Sequence, residues 1–152
     1  MIKIALVDDH TLFRSGIRAM LSAFDNLEVV MEAGNGQELL DQLQDQQPDV
    51  ILIDLEMPVM DGIETVKILK EKHPDAKAII VSMHDEEKFI VHLMELGARG
   101  YLLKNANPED IENAIRSVAE TGYYFSEMVS RLMLHSLVKK DHLKPSFKNK
   151  EA

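Results

Sequence analysis

Three carboxylates, one hydroxyl and one ammonium recur at a single kind of place in this 152-residue sequence. Each follows or ends a short apolar run: Asp8 and Asp9 follow IKIALV, Asp54 ends VILID, Ser82 ends AIIVS and Lys104 ends GYLLK. A carboxylate at the end of a run built for burial costs free energy unless a partner offsets it. Asp54, in VILIDLEMPVMDG, poses that problem most sharply. Carboxylates brought together repel and raise one another's pKa, and a bound cation with a nearby ammonium removes the conflict. Hard oxygen donors in small number suit Mg2+, which keeps several waters and takes a phosphate as a further ligand.

Such a site exists only if the elements bring the run ends together. The β-rich runs are 2–7, 28–33, 50–54, 78–82 and 100–104, with helical spacing between them. Phe13, Ile17, Met20 and Leu21 share one helical face, and Phe89, Ile90, Leu93 and Met94 share another, with Gly97 placed for a left-handed cap. Asn107-Pro108 reads as an N-cap followed by proline at the first helical position, and Ile111, Ala114, Ile115 and Val118 form the stripe behind it. His73-Pro74 closes the helix opened by Asp61-Gly62, where Asp61 is a candidate cap. Strict alternation of strand and helix predicts an α/β fold, a doubly wound five-stranded parallel sheet with helices on both faces. The apolar character of strands two to four predicts burial on both of their sides. In such a fold ligands bind beyond the carboxyl ends of the strands, where these five side chains would meet.

Composition narrows the class. Hydrophobic residues make up 45% and charged residues 28%, ordinary for a globular protein. A formal charge of −9 argues against nucleic acid wrapped over the whole surface. With no cysteine, disulfides, thiolate catalysis and cysteine-ligated zinc are excluded. The apolar run in MIKIALVDDH is too short for a signal peptide, and no stretch approaches membrane-spanning length. The expectation is a cytoplasmic protein with no membrane partner.

Several signals carry less. GNGQEL (34–39) lacks the third glycine of a dinucleotide fingerprint and follows the wrong strand. The six histidines show no metal-binding spacing and read as surface or capping residues, and the nine methionines read as core filler. Beyond Gly122, 126–140 reads as a serine-capped helix with Val129, Leu132, Met133 and Leu137 on one face, able either to dimerise or to pack internally. Polar, lysine-rich 141–152 reads as a linker or a frayed tail. Lys139, Lys140, Lys144, Lys148 and Lys150 are read as its solvated charges rather than as DNA contacts.

Taken together, LVDDH, DLEMPVMDG, the VSMH strand end and LGARGYLLK resemble the receiver domain of bacterial two-component response regulators over about residues 2–121. LGARGYLLKNANPEDIENAI is most similar to the LuxR-type (NarL/FixJ) subfamily, whose members carry a C-terminal helix-turn-helix domain. The resemblance implies a flavodoxin-like receiver over 1–121, and a C-terminal helix and linker over 122–152 leading to an output domain outside this chain. It implies that Asp54 is the phosphoacceptor, Asp9 a direct Mg2+ ligand and Asp8 a ligand through water. Glu56 would contribute its main-chain carbonyl to the ion. Ser82 would bond the phosphoryl group, Lys104 would contact it, and Tyr101 would be the aromatic switch partner of Ser82. Glu56 and His84 occupy positions that tune hydrolysis in that family, although His84 reads more simply as a solvated residue at a helix start. Many members have proline after the lysine; here Asn105 follows Lys104, which leaves the isomer of that bond open.

The implied function is a phosphorylation-dependent receiver, not a turnover enzyme, served by a sensor histidine kinase. Dimerisation on activation would then control a DNA-binding output. Two rivals stand beside it. An aspartate-based phosphatase would need a second aspartate where Glu56 stands and a substrate cap. A stand-alone interaction module would lack transcriptional output.

Overall fold

In the computed structural model, which describes residues 1–139, strand and helix alternate from the first residues onward. The order is β1 (Ile2–Val7), α1 (Thr11–Leu21), β2 (Leu27–Ala33), α2 (Gly36–Gln42), β3 (Val50–Ile53) and α3 (Gly62–Lys72). It continues with β4 (Ala78–Ser82), α4 (Glu87–Leu96), β5 (Gly100–Leu103), α5 (Pro108–Thr121) and α6 (Glu127–Lys139). The five strands form one parallel sheet in the order β2-β1-β3-β4-β5. The winding direction reverses at β1, so a crevice opens beyond the ends of β1 and β3.

Side chains in a strand alternate between faces, and this sheet uses both. Ile4, Leu6, Val50, Leu52, Ile79 and Val81 face the layer of α1 and α5, packing on Leu21, Ile111, Ala114, Ile115 and Val118. Ala5, Val7, Ile51, Ile53, Ala78 and Ile80 face the opposite layer, with Leu39 and Leu43 behind α2, Val66 and Leu69 of α3, and Ile90, Leu93 and Met94 of α4. All residues of β3 and β4 are buried, as a strand covered on both faces requires.

β2 departs from that expectation. It is an edge strand with β1 as its neighbour, and Glu28 is exposed while only Leu27, Met31 and Ala33 are buried. β1, which flanks β3 on the side away from β4, is the further strand buried on both faces, from Ile4 onward. An apolar run reports burial of side chains, not how many strands flank it.

Local chemistry sets the helix ends. Asp61 Oδ1 accepts from the Glu64 N–H at 2.9 Å, and Ser126 Oγ accepts from the Val129 N–H at 3.1 Å. Gly97 ends α4 with φ 116°, a conformation that needs no Cβ. Asn107 holds the N-cap position ahead of Pro108, but its side chain makes no capping bond. The helix after Gly122 packs internally: Val129 is fully buried in the same core as Ile90 and Leu93, with Leu132 and Met133 against it. His135 Nδ1 pairs with Glu87 Oε1 of α4 at 2.6 Å. The tail read as a linker, 141–152, and the lysines at 140, 144, 148 and 150 lie outside the described residues.

Candidate functional site

The sheet ladders run past the strand ends and so position the polar residues. The Asp8 N–H donates to the Ala33 carbonyl at 3.0 Å, and the Asp54 N–H donates to the Val7 carbonyl at 2.9 Å. Likewise the Lys104 N–H donates to the Ser82 carbonyl at 2.8 Å. Each residue is thereby held one step beyond a covered strand, with its side chain at the crevice.

Lys104 Nζ lies 3.0 Å from Asp8 Oδ2 and 3.3 Å from Asp54 Oδ2, and all three side chains are less than a tenth exposed. The ammonium also stands 4.5 Å from the centre of the Phe13 ring, whose face favours a cation. Asp54 Oδ1 accepts from the Leu55 N–H at 2.9 Å. Burial, and then the Asp8 charge, raise the Asp54 pKa above the usual carboxylate value; Lys104 and the Leu55 amide oppose them. One ammonium does not fully balance two buried carboxylates.

The carboxyl oxygens of Asp8, Asp9 and Asp54 and a ring nitrogen of His10 lie within 4.8 Å of one another. A donor set dominated by hard oxygens fits Mg2+, so the residues present suit the cation that the acidic cluster implies. Asp9 is the more exposed of the aspartates, its side chain 34% accessible. Reading the histidines by spacing alone missed His10, although it adjoins Asp8-Asp9 in LVDDH. Arg14, one turn further on, was also missed: its guanidinium donates to the Asp8 carbonyl and, at 3.0 Å, to Glu32 Oε1.

Ser82 and Tyr101 meet through His84. Ser82 Oγ accepts from the His84 N–H at 3.0 Å, and the Tyr101 hydroxyl donates to the His84 carbonyl at 2.7 Å. Tyr101 is 1% exposed, so its ring is turned inward, and burial pushes its hydroxyl pKa up to about 12. Glu56 points outward, but its carboxylate pairs with His84 Nε2 across the mouth of the crevice. That hydrogen bond, more than any other influence, raises the His84 pKa. The ring also lies 4.5 Å from that of Phe89 and 3.3 Å from Glu86 Oε2, so it is not merely a solvated residue at a helix start. The Lys104–Asn105 peptide is trans.

Gly62 packs against the site from behind. Its N–H donates to the Leu55 carbonyl at 2.8 Å, and a Cβ there would lie 2.4 Å from the Asp54 carbonyl oxygen. Only hydrogen fits between α3 and the backbone that carries Asp54.

Residues 4–116 match the family model of the response regulator receiver domain. The chain belongs to that family. The receiver is 36% identical over 138 residues to the transcriptional regulatory protein DegU of Brevibacillus brevis, covering 91% of this chain. It spans 57% of DegU's own length. A LuxR-family two-component response regulator from Aurantimonas superposes with a TM-score of 0.81 at 28% identity, covering 90% of this chain and 97% of that one. The isolated receiver domain of RcsB from Salmonella enterica, solved with phosphomimetic BeF3−, superposes with a TM-score of 0.78 at 27% identity, covering 87% and 98%. The protein is thus a receiver of two-component signalling with LuxR-type relatives. Among the described residues no helix of this receiver is long and apolar enough to cross a membrane.

Proposed function

We propose that this receiver accepts a phosphoryl group on Asp54 from the phosphohistidine of a sensor kinase. The observation that carries the reading is the buried triangle of Lys104, Asp8 and Asp54, a net negative pocket with one fixed cation beside the acceptor. A carboxylate oxygen of Asp54 attacks phosphorus in line with the bond to the donor imidazole. That P–N bond breaks, its electron pair returns to the ring nitrogen, and an aspartyl phosphate remains. A Mg2+ ion, when bound, supplies positive charge to the phosphoryl oxygens. Asp9 and Asp54 would hold it directly, Asp8 through water, and Glu56 by its main-chain carbonyl. Lys104 faces the same oxygens and offsets charge as it develops. The acyl phosphate is lost only slowly to water, so the protein is a switch rather than a turnover enzyme.

Ser82 and Tyr101 carry the response. The phosphoryl group brings about −1.5 to −2 charge and three strong acceptors, to which the Ser82 hydroxyl donates. The inward Tyr101 ring holds the β4–α4 loop in the matching position, and the surface of α4 and β5 reports the state. Residues 1–121 form the phosphoacceptor unit; 122–152 connect it to a DNA-binding output that controls transcription, with dimerisation on activation. DegU, by its name a transcriptional regulatory protein, supports that output. The same reading puts the protein in the cytoplasm.

Intact mass after exposure to acetyl phosphate and Mg2+ tests the reading. One added phosphoryl group on the wild type and none on Asp54→Asn is expected. An equal adduct on the variant, or none on either, overturns it.

A further inference from the structure

We propose that α6 is a latch on the switch: its C-terminal half is docked on the first turn of α4 in the unphosphorylated chain and is let go when phosphorylation draws the β4–α4 loop inward. The inference rests on the proposed function and concerns which element reads the state of that site.

The two halves of α6 are held in different ways. Near its start, Ser126 Oγ caps the helix and Val129 is fully buried in the core that contains Ile90 and Leu93 of α4. Further on, Leu134 and Val138 are exposed, and His135 Nδ1 ties the helix to Glu87 Oε1 at 2.6 Å. That pair faces solvent, with 60% of the His135 side chain accessible, so it is a weak tie that a small displacement breaks.

Glu87 opens α4, next to the loop that the switch moves. His84 grips this end of the helix twice: Nδ1 lies 3.3 Å from Glu86 Oε2, and the ring is 4.5 Å from that of Phe89. The Glu86 carbonyl in turn accepts from the Phe89 and Ile90 N–H groups at 3.1 and 3.3 Å. When Ser82 Oγ turns towards the phosphoryl oxygens, it draws along the His84 N–H from which it accepts. The first turn of α4 follows through Glu86 and Phe89. α6 does not follow, because Val129 is packed into the interior. Glu87 and His135 are thereby parted. A contact made in only one of two states is what couples an element to the switch.

The test uses the full chain and amide hydrogen exchange over residues 133–139, with phosphoryl uptake from acetyl phosphate and Mg2+ followed by intact mass. Phosphorylation is expected to speed exchange there about two- to fivefold, the range of one exposed ion pair, while Val129 stays protected. His135→Ala is expected to give the same rise with no phosphoryl donor, and adding Glu87→Gln to it should change nothing further. Coupling between sites is reciprocal, so His135→Ala should bind the phosphoryl mimic BeF3− in Mg2+ more tightly than the wild type by a similar factor, measured by titration calorimetry. A helix that merely supports the fold would give equal or weaker binding, and that result overturns the proposal. Phosphorylation that leaves exchange over 133–139 unchanged also removes this inference, and removes it alone. A chain that takes up neither phosphoryl group nor BeF3− removes the proposed function and the latch with it.

Discussion

Tyr101 and Ser82 hold opposite ends of the same residue: the tyrosine hydroxyl donates to the His84 carbonyl at 2.7 Å, and the serine oxygen accepts from the His84 N–H at 3.0 Å. The β4–α4 loop is thus pinned to β5 and to the tip of β4. Tyr101→Phe removes the first pin while keeping the buried ring. It is expected to cost about 1 kcal/mol, the net worth of one such hydrogen bond, read as a lower urea midpoint with an unchanged slope. Ser82→Ala is expected to abolish phosphorylation-induced changes at the α4 and β5 surface, followed by amide hydrogen exchange.

A second expectation concerns a residue that touches no ligand. Gly62→Ala would place a methyl group 2.4 Å from the Asp54 carbonyl oxygen and 2.8 Å from Leu55 Cα, and backbone cannot step aside as a flexible side chain can. Overpacking of this kind costs about 1–3 kcal/mol. Because the displaced backbone carries the acceptor, phosphorylation by acetyl phosphate should slow more in Gly62→Ala than in a control of equal stability loss elsewhere, compared by intact mass over time.

Asp54 itself should be a source of instability. Its pKa is raised in the fold, first by burial and then by Asp8, so the ionised form is favoured less in the folded chain than in the unfolded one. For an acid raised in this way, stability falls as pH climbs from the unfolded value of 3.8 through the folded one. Asp54→Asn is therefore expected to melt above the wild type at neutral pH in chelator, with the gap closing below 3.8. A variant that melts lower at neutral pH would show that Lys104 outweighs burial.

The Glu56–His84 pair gives a pH dependence of the same sign in a higher window, but as a stabilising contribution at low pH rather than a penalty at high pH. The histidine pKa is raised, chiefly by its hydrogen bond to Glu56, so the contribution is fully present below the ordinary value of 6.5 and lost as pH rises through the raised one. Glu56→Gln should lower the melting temperature at about pH 6 and leave it unchanged well above the raised value. Equal loss at both pH values would mean that the pair acts through packing alone.

The tips of the strands were the legible part of the site. Asp8, Asp9, Asp54, Ser82 and Lys104 could be placed together because strand ends are readable from apolar runs and a doubly wound sheet gathers its carboxyl ends on one edge. What depends on loop geometry was not readable. Glu56 and His84 lie 28 residues apart, and nothing in their spacing announces that two loops bring them into contact. His10 was hidden by a search for histidine pairs, when its neighbours were carboxylates. The edge position of β2 and the docking of α6 on α4 failed to show for a related reason: an apolar stripe tells which side is covered, not by what.

The burial of Val129 bears on how this protein can be taken apart. Its side chain belongs to the interior beneath α4, so a chimera joined at Gly122 would inherit a hole in its foundation and bare methyl groups to water. Donor sequence grafted after Lys139 keeps that plug in place.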